Sequence, residues 1–185
     1  MKHVSARLIV RLALASLSVA IAAPMIGNGN YVASASTTNV PLCEGSKLWG
    51  AYVGTGAATG NFVYTLALIN VGHTTCRLEG YPRILGQRDN RTHTLPISKH
   101  GTWAGNLRPT VLSPRMSGQL LLSTADNCNA LNTGTTKSIN RVMAANTYSN
   151  LTIQLPDSKG DVYVYGFKVD IACGLEISQL GWGVN

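Results

Sequence analysis

Four cysteines, Cys43, Cys76, Cys128 and Cys173, limit this chain more than any other feature. The count is even, and no two of them form a C-x-x-C pair, the usual start of a thiolate metal site. Two disulfides are the expected use, provided that the chain leaves the reducing cytosol. Spacing alone leaves all three connectivities open.

The first residues argue for export. Lys2, Arg7 and Arg11 make a positive start, and Leu12 to Ala23 is an apolar run of 12 residues. A membrane-spanning helix needs about 20. Ala33-Ser34-Ala35 supplies a small-residue cleavage pattern, so residues 1–35 read as a signal peptide. The competing reading is an uncleaved anchor. Arg7 and Arg11 are not adjacent, which argues against a twin-arginine signal, and Cys43 follows Pro41-Leu42, which argues against a lipid-modified cysteine. Residues 36–42 read as a flexible lead-in and 43–185 as one domain, without a further membrane span.

Charge narrows the partners. Lys2, Arg7 and Arg11 account for three of the 15 basic residues, which leaves 12 against 8 acidic ones, a net charge near +4. The excess is scattered, with no Lys/Arg block, so a nucleic-acid footprint is not expected.

Hydrophobic periodicity predicts an all-β chain. In Asn61 to Val71, Phe62, Tyr64, Leu66 and Leu68 share one face and Val63, Thr65, Ala67 and Ile69 the other, the pattern of a central or doubly covered strand. Leu48–Val53, Pro82–Gln87, Thr92–Ile97, Gly118–Ser123, Leu151–Leu155, Val162–Phe167, Lys168–Ala172 and Leu175–Ile177 read as further strand segments. Gly54 to Gly60 reads as a glycine-rich loop, Arg88 to Arg91 and Asp157 to Gly160 as turns, and Asp126 to Thr136 as a long polar loop. Ile139 to Ala145 is the one place for a short helix. Val169, Ile171 and Cys173 share a face, which points Cys173 inward. The sum is an immunoglobulin-like antiparallel β-sandwich of roughly eight strands.

One stretch resembles a known family. Asn70-x-Gly72 ending a strand, followed by Cys76-x-Leu78-x-Gly80-Tyr81-Pro82, is similar to the signature of the actinobacterial secreted family called domain of unknown function 4232. The tail Cys173-Gly174-Leu175-Glu176-Ile177-Ser178 resembles it too, although Gln179-Leu180 stands where the family usually has proline and an aromatic residue. The resemblance spans about Cys43 to Leu180. It implies an exported or lipid-anchored envelope protein with a β-sandwich and two disulfides; the family has no established activity, so the resemblance adds little about function. With strand placement, it implies the pairs Cys43–Cys76 and Cys128–Cys173, each worth about 4 kcal/mol at most by loop-closure entropy. The motif residues have structural readings. Gly72 would allow a positive-φ turn, Asn70 would hydrogen-bond the turn backbone, and Gly80-Tyr81-Pro82 would make a tight corner with an aromatic plug.

Chemistry-bearing patterns are thin. Beyond the leader the histidines are His73, His93 and His100, and there is no G-x-S-x-G elbow or H-E-x-x-H helix. The expectation is therefore no enzyme, no cofactor and no metal, with His93, His100 and Met116 the only group weighed as a metal site. If Val162 and Val164 face the core, Tyr163 and Tyr165 form an outward aromatic pair, and with Trp103 they make the candidate binding surface. Cross-strand packing is the bland alternative. Asn90-Arg91-Thr92 and Asn150-Leu151-Thr152 match the glycosylation pattern by coincidence. The functional expectation is a non-catalytic binding module of the cell envelope whose partner is an envelope protein or glycan. A structural envelope protein is the alternative, and an extracellular enzyme or metal-binding protein ranks lower.

Overall fold

The computed structural model of the chain describes residues 40–58, 60–102, 104–125 and 142–184. These residues belong to one compact unit. Strand β1 (Leu48–Ala58) turns back into β2 (Asn61–Asn70), paired from Leu48↔Asn70 to Ala58↔Asn61 with a one-residue register shift between Tyr52 and Gly54. The alternation expected of β2 is realised: Leu66, Leu68 and Asn70 are buried on one face. Two short strands follow, β3 (Cys76–Leu78) and then β4 (Arg83–Arg88), which is hairpinned to β5 (Arg91–Thr94). Asp89 (φ 52°) and Asn90 (φ 59°) occupy the left-handed region that a two-residue type I′ hairpin requires at both central positions.

Next come β6 (Leu107–Arg108), β7 (Thr110–Leu112), β8 (Ser117–Ala125), β9 (Thr147–Gln154), β10 (Asp161–Asp170), β11 (Glu176–Ile177) and β12 (Trp182–Val184). One four-stranded sheet has the order β1-β2-β8-β11 and the other β10-β9-β4-β5; β3 with β7 and β6 with β12 form two-stranded ribbons. Every pairing among these strands is antiparallel.

The main core draws on both sheets. Leu66, Leu68, Leu120, Leu122 and Ile177 from the first and Ile84, Leu151, Ile153, Val162 and Val164 from the second belong to one buried cluster. Each such side chain stabilises the fold by about 1.5 to 3 kcal/mol relative to exposure. The sheets close on each other where β1 meets β10. A Cβ on Gly50 would lie 2.8 Å from the Tyr163 carbonyl oxygen, so only glycine fits there. Beside it Tyr52 stacks on Phe167 at 4.9 Å, and Tyr64 meets the same ring edge-on at 5.3 Å. A second small cluster, Val63, Leu107 and Leu121, covers part of the outer face of β2 and β8. That cover accounts for the apolar residues on both faces of β2.

The fold departs from the sequence expectation in several places. The described residues contain twelve strands, not eight, because the added ones are two or three residues long and show no alternation. Gly54 to Ala58 is strand, not loop, since its backbone pairs with β2 and nothing packs against Gly54 or Gly56. Val162–Phe167 and Lys168–Ala172 are not two segments: β10 runs through, with its register broken between Val164 and Lys168. Gly166 (φ 69°) and Asn150 (φ 48°) absorb that break. The Gly166 N–H donates to Asn150 Oδ1 at 3.0 Å, and Asn150 Nδ2 donates to Gln87 Oε1 at 3.0 Å, so Asn150 lies inside β9. Helix is limited to the 3-10 turn Gly45–Lys47 and one turn at 142–146 among the described residues. The helix expected over 139–145 lies partly outside them. None of the described helices is long and apolar enough to cross a membrane.

Cys43 and Cys76 are joined by a disulfide. Cys173 is also disulfide-bonded, but it sits half-buried in a turn after β10 rather than inward on a strand. Cys128 lies outside the described residues.

Candidate functional site

Strand β10 turns a sequence alternation into a surface. Val162 and Val164 are fully buried, so Tyr163 and Tyr165 must point out, and they are 48% and 72% exposed. Their rings lie 6.0 Å apart and 17° from parallel. Tyr163 faces Thr152 on β9, and Tyr165 lies in the register break. Trp49 and Val53 on the neighbouring edge strand β1 are also exposed. Trp103, the third member of the expected surface, lies outside the described residues.

The motif residues fill structural positions. Asn70 is buried; its Nδ2 donates to the carbonyls of Thr74 and Leu112, and its Oδ1 accepts from the Gly72 N–H at 3.0 Å. Gly72 is not in the positive-φ region as expected. What excludes a side chain there is space, because a Cβ would come within 3.2 Å of Asn70 Oδ1 and 3.3 Å of Lys47 Cβ. Leu78 and Pro82 are buried. Gly80 does adopt φ 80°, with Pro156 Cγ 2.9 Å from where its Cβ would be. Tyr81 packs against the core, and its Oη accepts from Asn106 Nδ2 at 2.7 Å.

Beside this motif lies a feature that the sequence reading missed, an open cavity of about 420 Å³. Leu42, Val71 and Cys76 supply apolar wall, and Glu44, Lys47 and His73 line it with charge-bearing groups. Two segments, 41–47 and 70–76, form it, so no local pattern announces it. The Asn-x-Gly turn was its only trace in the sequence.

The histidines do not converge. His93 lies on β5 opposite Gly86, with its ring edge-on to Tyr148 at 5.9 Å. His100 Nε2 is 3.9 Å from Glu176 Oε1. The Met116 carbonyl accepts from the Asn70 N–H, which puts Met116 at the motif turn. Among the described residues no three His, Cys, Asp or Glu side chains gather as a metal site. Ser123 Oγ donates to Glu176 Oε2 at 3.0 Å, which makes the chain Ser123–Glu176–His100. A hydrolytic triad needs the imidazole between acid and hydroxyl. Here the carboxylate is in the middle and Ser123 is buried, so this cluster has neither the order nor the access for that chemistry.

A family model, described as a domain of unknown function (DUF4232), matches residues 43–171. No curated protein matches the chain.

Proposed function

The chain belongs to that family, and on this footing we propose that it is a non-catalytic binding module of the cell envelope that presents Tyr163 and Tyr165 to an envelope protein or glycan. The observation that carries the reading is the exposure of two near-parallel tyrosine rings on a strand whose alternate residues are fully buried. Flat amphipathic rings held by a rigid sheet lose little entropy on contact, and such residues anchor interfaces. The open cavity of about 420 Å³ beside the Asn70 turn favours a binding role over a purely structural one. The Ser123–Glu176–His100 order weighs against hydrolysis.

Export is supported by the leader pattern in residues 1–35 and by the Cys43–Cys76 bond, which suits an oxidising compartment. The second bridge of this reading is Cys128–Cys173: Cys173 is linked, and Cys128 is the remaining cysteine of four. An immunoglobulin-like assignment is supported by strand order. With β1, β2 and β8 as strands A, B and E, and β4, β5, β9 and β10 as C, C′, F and G, the sheets read A-B-E, with the C-terminal β11 beside E, and C′-C-F-G.

The test is affinity capture from envelope extract with the oxidised protein and with the Tyr163→Ser/Tyr165→Ser double variant. Loss of a specific protein or glycan from the variant's capture supports the reading. An identical set of captured molecules removes it.

A further inference from the structure

Glu176 stands between two groups. Ser123 Oγ donates to its Oε2 at 3.0 Å, and His100 Nε2 lies 3.9 Å from its Oε1. The first contact is a hydrogen bond, and the second is too long to be one. Ser123 is buried, whereas the His100 and Glu176 side chains are 65% and 42% exposed. A buried hydroxyl thus fixes one carboxylate oxygen, and the other faces an imidazole nitrogen at the surface.

Main-chain bonds hold the two segments side by side. The Ser98 N–H donates to the Leu175 carbonyl at 2.9 Å, the Ile177 N–H to the Ser98 carbonyl at 3.0 Å and the Gly101 N–H to the Ile177 carbonyl at 3.1 Å. Glu176 is also paired with Ser123 across β11 and β8. Backbone pairing therefore sets the spacing of His100 and Glu176. An ion pair with a protonated imidazole is the other use of such a pair, and an exposed one contributes little to folding.

We propose that His100 Nε2 and Glu176 Oε1 bind a divalent first-row transition ion of the zinc type, with Ser123 as a positioning residue. Zinc takes an imidazole nitrogen at about 2.0 Å and a carboxylate oxygen at about 2.1 Å. Atoms 3.9 Å apart reach one ion at those lengths, with a wide angle at the metal. A tetrahedral angle brings them to about 3.4 Å, a closing that an exposed imidazole makes by turning its side chain. The Ser123 bond occupies Oε2, leaves Oε1 for the ion, and orients the carboxylate as hydrogen bonds behind metal ligands do. Two protein ligands leave the remaining positions to water, so the ion is exchangeable. Calcium and magnesium prefer all-oxygen sites and fit less well. Of the residues weighed as a metal site from sequence, His100 alone takes part. The site does not rest on the tyrosine-pair reading.

The test is titration of the untagged, oxidised protein with zinc chloride, read in the ring ¹⁵N shifts of its histidines, against calcium chloride at equal ionic strength. His73 is exposed and has no ion pair among the described residues, so it serves as the reference for a lone imidazole. Saturable movement of His100 Nε2 at zinc concentrations about tenfold below those that move His73 supports a two-ligand site. Glu176→Gln keeps the size and the Ser123 contact, and Ser123→Ala leaves both ligands in place. Each is expected to weaken zinc binding by about tenfold or more. If a variant does not fold, the comparison of His100 with His73 in the wild-type protein decides the matter. No saturable movement of His100, an equal response of His73 and His100, an equal response to calcium, or an unchanged affinity in either variant would overturn the proposal.

Discussion

Asn70 reaches 42 residues along the chain to donate from Nδ2 to the Leu112 carbonyl at 3.0 Å, a buried bond between the end of β2 and the end of β7. The same nitrogen donates to the Thr74 carbonyl at 2.9 Å. One amide therefore closes the turn after β2 and holds the ribbon of β3 and β7 against it. Asn70→Ala would leave buried acceptors unmet, each costing about 1 to 3 kcal/mol. We expect a loss of about 2 to 4 kcal/mol, read as a lower urea midpoint at constant slope. A loss below about 0.5 kcal/mol would show that the bond is not structural.

The Cys43–Cys76 bridge closes a loop of sequence separation 33 next to that turn. Replacing both cysteines with serine frees the denatured chain. The expected destabilisation is about 3 to 4 kcal/mol by loop-closure entropy. Chemical denaturation of the two proteins under non-reducing conditions measures it, and equal midpoints would contradict it.

Two glycines of β1 should behave oppositely. Gly50→Ala places a Cβ 2.8 Å from a backbone oxygen of β10 that cannot swing aside. We expect a cost of about 1 to 3 kcal/mol. Gly54→Ala points into open space and removes denatured-state freedom. It should be neutral or stabilising by up to about 1 kcal/mol. Thermal melts of both variants test the contrast, and similar melting temperatures would refute the β1–β10 closure.

Tyr64 sets an alkaline dependence. Its folded-state pKa lies above the unfolded value of 10.0, because of burial first and the charge of Asp170 second. The folded state thus holds a proton that the unfolded state has lost. The linked stability is fully present below the unfolded value and declines as pH rises through the folded one. In Tyr64→Phe that decline is absent, so the stability gap between wild type and variant should narrow with rising pH in this range. Urea titrations from about pH 9 to about pH 12 would show it, and a gap constant across that range would exclude it.

Much of the core could be read from alternation alone. Leu66 and Leu68, Leu120 and Leu122, and Leu151 and Ile153 lie on the buried faces that their period of two indicates. The outward pair Tyr163 and Tyr165 followed from the buried valines between and beside them. The ribbons were not legible, because strands as short as Leu107–Arg108 and Trp182–Val184 have no period to detect. The strand character of Gly54 to Ala58 was hidden for another reason: it comes from pairing with β2, against local preference.

The amino-acid sequence by itself determined which faces are apolar, where the chain turns and how many cysteines await partners, since these depend on residue type and near-neighbour spacing. Tertiary structure alone decided that Gly50 must clear the Tyr163 carbonyl, that Glu176 separates Ser123 from His100, and that Asp170 Oδ2 is left buried without a partner. Such relations join segments far apart in the chain, and their geometry is set by sheet register and packing that no local pattern encodes.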